Sequence, residues 1–318
     1  MVVNNIVILY MGGAASNVST SYVRYSENRD NVLNIVANTD KAALDLCTSP
    51  YHHKKVLLGP TICDGNGAGN QPSVGREAMN ESVDSIIKLL VNYGCKTLVI
   101  VAGLGGGTGT GSTEFVCDNM DLFRSQGISV IGFFTTPLKI EGSKRMRAAR
   151  EAASKLSSLD SYCLINSNGI RNKAKAGKTG LTLKQYFNKL NKVVSDTIDN
   201  FVHIRTSVGL VNIDADDISE TIQNGEIHPF TYQTDKAISL KDVAQAFEQH
   251  VQTYYYANDT PYDKVIIAFS GKESSITLGS VSDVSQYFTD KGAELIYGIF
   301  TNEEDTNSKV AIIAAITN

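Results

Sequence analysis

Short apolar runs, rich in β-branched residues, recur along the first half of the chain and alternate with stretches whose apolar residues return at helical spacing. Residues 6–9, 34–37, 97–102, 128–134 and 162–166 read as buried strands. Between them Met79, Val83, Ile86, Ile87 and Leu90 keep one helical face, and a helix opening near Ser112 carries Phe115, Val116 and Leu122 towards a core. The first strand and the turn Gly12-Gly13-Ala14-Ala15-Ser16-Asn17 can open any Rossmann-like sheet. Over residues 182–202 the positions Leu183, Tyr186, Phe187, Leu190, Val194, Ile198 and Phe201 hold a single apolar face, and Thr182 with Gln185 has capping-box spacing. One long helix is expected there. Helix and strand then alternate again, with an amphipathic helix over 239–256 (Leu240, Val243, Phe247, Val251) and strands over 264–269, 295–300 and 310–316.

The strand over 97–102 runs into Gly103-Leu104-Gly105-Gly106-Gly107-Thr108-Gly109-Thr110-Gly111-Ser112. Glycine lets a backbone approach a ligand closely, and successive N–H groups at a helix N-terminus converge on phosphate oxygens. The two threonine hydroxyls can add hydrogen bonds to phosphate. A Gly-rich turn can also be a linker or a tight bend, but a buried strand before it and an amphipathic helix after it favour a phosphate cradle. It is neither of the commoner phosphate loops: no Lys follows the glycines, and the spacing Gly-x-Gly-x-x-Gly is absent. The tripeptide Gly177-Lys178-Thr179 imitates the end of a P-loop, but Asn172 stands where the first glycine is needed, so 171–180 reads as a solvated loop.

The run from Gly105 to Gly111, Gly-Gly-Gly-Thr-Gly-Thr-Gly, resembles the signature of the tubulin and FtsZ superfamily of polymerising GTPases. The resemblance implies an α/β fold in which a Rossmann-like parallel-sheet GTPase domain (1–181) is joined by a core helix (182–205) to a smaller α+β C-terminal domain (206–318). It implies binding of GTP and GDP with Mg²⁺, with Gly105, Gly106, Gly107, Thr108 and Gly109 at the phosphates. The first loop, Gly12, Gly13, Ala14, Ala15, Ser16 and Asn17, corresponds to a family loop that also holds phosphates, although Ala14, Ala15 and Ser16 stand where glycines are usual. Asn38-Thr39-Asp40 is similar to the second nucleotide loop and assigns Asp40. The segment 65–76, with Gly67-Ala68-Gly69 and the later Pro72-x-Val74-Gly75, resembles the loop that senses the γ-phosphate and assigns Ala68 and Gly69.

Further along, Pro137, Glu141-Gly142 and Arg145 match the family spacing that brings Glu141 and Arg145 to the nucleotide. Taken alone they are an i, i+4 surface pair, worth ~0.3–0.5 kcal/mol. On the long helix Asn191 matches the position that reads the guanine edge, and Phe187 the position whose ring stacks on the base. An exposed Asn and a core Phe are the plain alternatives.

Gly209-Leu210-Val211-Asn212-Ile213-Asp214-Ala215-Asp216-Asp217 is similar to the catalytic loop of the same superfamily. Hydrolysis needs a water held in line with the γ-phosphorus, and positioning with charge neutralisation supplies most of the catalysis. The resemblance implies that Asn212, Asp214 and Asp217 act on the nucleotide of the next subunit in a head-to-tail homopolymer. A helix N-cap cluster is the alternative for the same residues. The chain stops at Asn318 directly after an apolar strand, whereas division-ring members normally continue into a tail and an end peptide. A phage- or plasmid-borne filament that positions DNA or virions is therefore expected alongside a division role.

Composition narrows the partners. Among 318 residues, 29 Lys and Arg against 33 Asp and Glu leave a net charge of −4, without a general footprint for nucleic acid. No apolar run reaches the ~20 residues needed to span a bilayer, and no basic segment precedes the first apolar run. A cytoplasmic protein without membrane insertion is expected. Five cysteines without Cys-x-x-Cys spacing fit reduced, buried thiols.

Overall fold

The apolar runs of the first half become strands of one parallel sheet. In a computed structural model that describes residues 5–170, 181–207, 209–255 and 261–317, the chain forms two compact units, Met1–Ser195 and Asp196–Asn318. The first unit holds β1 (Ile6–Met11), β2 (Leu33–Asn38), β3 (Lys54–Leu57), β4 (Thr97–Gly103), β5 (Ser129–Thr135) and β6 (Ser161–Ile165). They lie in the order β3-β2-β1-β4-β5-β6, each neighbouring pair parallel. β1 is buried at every position and β4 at all but its last. Strands covered on both faces cannot alternate apolar with polar, which is why these read as unbroken apolar runs.

The order of strands decides where a ligand can sit. From β1 the chain moves outward to β2 and β3, then returns to lay β4 on the opposite side of β1. This reversal opens a crevice at the C-terminal ends of β1 and β4. Met11 pairs with Ala102 there, and the loops that follow carry the first and the signature glycines.

Six helices connect these strands: α1 (Gly12–Tyr25), α2 (Lys41–Asp45), α3 (Pro72–Asn92), α4 (Thr108–Asp118), α5 (Asp121–Arg124) and α6 (Ser143–Ala153). α3 buries Ala78, Met79, Val83, Ile86 and Leu90, and these join Leu98, Ile100 and Phe115 in the core of the unit. α3 and α4 cross so closely that a Cβ on Gly75 would strike the Gly107 carbonyl and one on Gly111 the Pro72 carbonyl.

Two expectations are corrected here. The signature helix begins at Thr108 rather than near Ser112, so the Thr-Gly-Thr-Gly segment is its first turn. Leu122 lies in α5, after that helix has ended, and is 38% exposed rather than in the core. The expected solvated loop over 171–180, with Gly177-Lys178-Thr179, lies outside the described residues.

α7 (Leu183–Thr206) runs through the boundary after Ser195. Thr182 and Gln185 form the anticipated box: the Thr182 N–H donates to Gln185 Oε1 at 2.9 Å, and the Gln185 N–H to Thr182 Oγ1 at 3.2 Å. Val194, Ile198 and Phe201 are fully buried, whereas Leu183, in the first turn and in line with Phe201 by helical spacing, is 61% exposed.

The second unit contains α8 (Ala215–Ile222), β7 (Gly225–Thr234), α9 (Leu240–Tyr254), β8 (Lys264–Gly271), α10 (Leu278–Thr289), β9 (Glu294–Thr301) and β10 (Ser308–Thr317). Its strands run β7-β10-β8-β9, with β10 antiparallel to both neighbours and β8 parallel to β9. Phe247 of α9 meets Phe288 of α10 edge to face, ring centroids 5.2 Å apart. All five cysteines are buried. Among the described residues no helix is long and apolar enough to cross a membrane.

Candidate functional site

At the crevice beyond β1 and β4 lies a cavity of about 560 Å³, a volume in the range of small-molecule sites. Every residue that lines it belongs to the first unit. Two helix N-termini open into it, Gly12 to Ala15 of α1 and Gly106 to Gly109 around the start of α4. Neither helix has a side chain capping its first N–H groups. Those groups have no intrahelical acceptor, and with the helix dipole they favour an anion.

The glycines are required by close approach. Gly105 has φ of +99°, and a Cβ there would sit 2.9 Å from the Arg145 carbonyl oxygen. Its N–H donates to Thr110 Oγ1 at 2.7 Å. The two threonine hydroxyls therefore differ from expectation: Thr110 is fully buried and pins the loop, and Gly105 lies outside the cavity lining. Thr108 does line the cavity, and its hydroxyl meets that of Thr39 at 2.6 Å.

In the first loop Gly12, Gly13, Ala14, Ala15 and Asn17 line the cavity, but Ser16 does not. Ser16 is buried and donates to the Gly12 carbonyl at 3.0 Å. Ala14 brings its methyl against Gly103, where a second Cβ would approach to 2.6 Å.

The second and third loops are stitched together. Asp40 accepts from the Ala43 N–H at 2.9 Å and so caps α2. The Gly67 N–H donates to the Thr39 carbonyl and the Lys41 N–H to the Gly65 carbonyl. Asp40, Ala68 and Gly69 all line the cavity.

Glu141 and Arg145 also line it, but not as a pair on one helix. Glu141 ends a 3₁₀ turn, Gly142 follows with φ of +96°, and Arg145 belongs to α6. The Glu141 carboxylate accepts from the Leu138 N–H at 2.8 Å and from Arg145 Nη1 at 2.6 Å. Arg145 Nη2 reaches Asn70 Oδ1 at 2.8 Å, which ties α6 to the third loop.

From α7 come Phe187, 41% exposed, and Asn191. Tyr186 lines the cavity as well: its ring meets Phe187 edge to face at 5.2 Å, and its hydroxyl donates to the Ser167 carbonyl at 2.9 Å. Burial pushes the Tyr186 phenol up to about 12. The sequence reading passed over Thr39, Asn70, Ser167 and Tyr186, although Thr39 sits inside Asn38-Thr39-Asp40 and Tyr186 directly precedes Phe187. Ser167 had no sequence signal, since only the end of β6 brings it here.

Asn212, Asp214 and Asp217 belong to the second unit and do not line this cavity. Asn212 Oδ1 accepts from the Gly209 N–H at 2.7 Å. Val211 exchanges two backbone hydrogen bonds with Ile299 of β9, which anchors the loop. The Asp214 carbonyl accepts from the Ile218 N–H at the opening of α8. The side chains of Asp214 and Asp217 are exposed.

The chain is similar to known proteins over most of its length. Residues 5–175 match the family described as Tubulin/FtsZ family, GTPase domain. The cell division protein FtsZ of Aquifex aeolicus (strain VF5) is 26% identical over 324 aligned residues, covering 96% of this chain and 81% of that protein. A solved FtsZ dimer from M. jannaschii superposes with a TM-score of 0.81 at 25% identity, over 98% of this chain and 88% of the other. A GTPγS-form protofilament of Bacillus thuringiensis serovar israelensis TubZ shares the fold at a TM-score of 0.74 and 12% identity, over 98% of this chain and 87% of the other.

Proposed function

The chain belongs to the Tubulin/FtsZ family of GTPases, and from that premise we propose that it binds GTP in the first-unit cavity and hydrolyses it on head-to-tail assembly. The observation that carries this reading is the convergence of two uncapped helix N-termini on one cavity whose wall also bears Phe187 and Asn191. Phosphates would complete both N-termini, accepting from the backbone around Gly12–Ala15 and Gly106–Gly109. Phe187 offers an exposed ring face for a base, and Asn191 carries both a donor and an acceptor suited to the guanine edge. The Glu141–Arg145–Asn70 chain of hydrogen bonds fixes the third loop where a γ-phosphate would contact it.

Among the described residues no group of three His, Cys, Asp or Glu converges to hold a metal ion. Mg²⁺ would be bound chiefly through nucleotide phosphates and water, its usual manner, and would neutralise charge on the phosphate oxygens.

A carboxylate suited to orienting water is missing from the uncapped N-termini themselves. Asp214 and Asp217, exposed on the second unit, are suited to supply it to the neighbouring subunit, with Asn212 bracing the loop through Gly209. The solved relatives described as a dimer and a protofilament support self-association for the family.

Mixing two defective variants tests the shared site. Gly106→Asp puts a carboxylate among the phosphate donors, and Asp217→Ala removes the proposed in-trans group. Each alone is expected to be nearly inactive, and a mixture is expected to regain turnover, since an Asp217→Ala pocket can meet an intact loop from a Gly106→Asp subunit. A mixture as inactive as its parts would contradict a site built from two subunits.

A further inference from the structure

Charge is divided unevenly between the two compact units. Met1–Ser195 holds 22 Lys and Arg against 14 Asp and Glu, a net +8, whereas Asp196–Asn318 holds 7 against 19, a net −12. The chain's overall −4 conceals this opposition.

Part of it lies open at the surface. In the first unit Lys139, Lys144, Arg147 and Arg150 are exposed and make no ion pair among the described residues. Lys144, Arg147 and Arg150 follow at intervals of three along α6, so they share one side of that helix. α6 also supplies Arg145 to the cavity, which sets this cationic row beside the candidate site. In the second unit Glu273, Asp283, Asp290, Glu294, Glu303 and Glu304 are likewise exposed without an ion pair among the described residues.

We infer that this opposition steers and orients self-association, the first unit of one copy meeting the second unit of the next, and that ionic strength regulates it. The inference rests on the polymerising reading above and adds the force that selects the orientation. Contacts between two first units or between two second units set like charges together and are repelled, whereas contact between unlike units is attractive. In the head-to-tail assembly proposed above every junction pairs unlike units, so the same attraction acts at each added copy. Because exposed charges are screened within about 10 Å at 0.1 M salt and less above it, added salt weakens the attraction.

Light scattering of the full chain at fixed, saturating GTP, Mg²⁺ and K⁺ tests this while choline chloride raises the ionic strength from about 50 to about 300 mM. The critical concentration for assembly is expected to rise about tenfold. The triple variant Lys144→Glu, Arg147→Glu, Arg150→Glu lowers the first unit from +8 to +2. It should raise the critical concentration at low salt and flatten the salt dependence. Asp283→Lys, Asp290→Lys, Glu294→Lys takes the second unit from −12 to −6 and should do the same, so the outcome does not depend on one variant folding. A critical concentration indifferent to salt, with scattering and GTP turnover still rising together, overturns the steering and leaves the polymer reading intact. Absence of assembly at every salt overturns both. Duplex DNA that binds at low salt and blocks assembly would give the cationic face to nucleic acid and also overturn the inference.

Discussion

Thr39 and Thr108 meet through their side-chain oxygens at 2.6 Å, so the loop after β2 and the first turn of α4 share one hydrogen bond on the cavity wall. Thr39 is fully buried, and with its hydroxyl donating to Thr108 the Thr108 hydrogen would be available to a phosphate oxygen. Thr39→Val keeps the shape and removes the bond, and is expected to lower GTP affinity by about fivefold, the effect of ~1 kcal/mol. Thr108→Ala, which deletes the group assigned to the phosphate, should cost about tenfold or more. Titration with a fluorescent GTP analogue measures both, and unaltered affinity in Thr108→Ala would contradict the cradle assignment.

Asp217 is exposed in the first turn of α8 and takes no part in lining the cavity. Asp217→Ala should therefore bind GTP and assemble as the unsubstituted chain does, while turnover falls by roughly 10²-fold. Filaments of this variant should outlast the others in a sedimentation time course. Unchanged hydrolysis would remove Asp217 from the mechanism.

Tyr186 donates to the Ser167 carbonyl and supports Phe187 at its ring edge. Tyr186→Phe leaves that carbonyl without its donor and is expected to lower unfolding stability by ~1 kcal/mol at pH 8. The phenol is raised from the ordinary tyrosine value to about 12 in the folded chain, so the fold favours its protonated form. Its contribution is therefore complete below about pH 10, the unfolded value, and is lost as pH rises towards 12. The stability gap between Tyr186→Phe and the parent chain should narrow over that window in urea melts. A gap constant through pH 11.5 would show that the hydroxyl is not held in this way.

Gly75 has no room for a methyl group against the Gly107 carbonyl. Gly75→Ala must push α3 from α4, and is expected to cost about 1–3 kcal/mol in chemical denaturation without nucleotide. Gly13, around which a Cβ would meet nothing within 4 Å, is the control. Equal stability of the two Ala variants would contradict the close crossing of these helices.

Much of the fold was legible where burial made the signal continuous. β1 and β4 were readable because both faces are covered, and the capping box at Thr182 because it is local chemistry. The start of α4 was not readable: Thr108-Gly109-Thr110-Gly111 has poor helix propensity. It is helical through contact with α3, the Gly111 N–H to Gly107 carbonyl bond and the Thr113 hydroxyl on the Gly109 carbonyl. β7 was missed because Pro229 and charged or polar residues interrupt it, yet it pairs with β10 over its whole length. β3 was hidden by Lys54 and Lys55, charges that an edge strand tolerates. At the site, the i, i+4 spacing of Glu141 and Arg145 suggested one helix, but Gly142 breaks it. The Tyr186–Ser167 contact joins residues from separate elements and leaves no pattern in either.

The most direct measurement of the central claim is GTP turnover per subunit against protein concentration, with light scattering recorded on the same samples. A nucleotide bound in the first unit and hydrolysed with the help of Asp214 and Asp217 of a neighbour requires both signals to rise together above one threshold. Turnover per subunit that stays flat while scattering never rises would contradict it, and would describe a monomeric switch with the same fold.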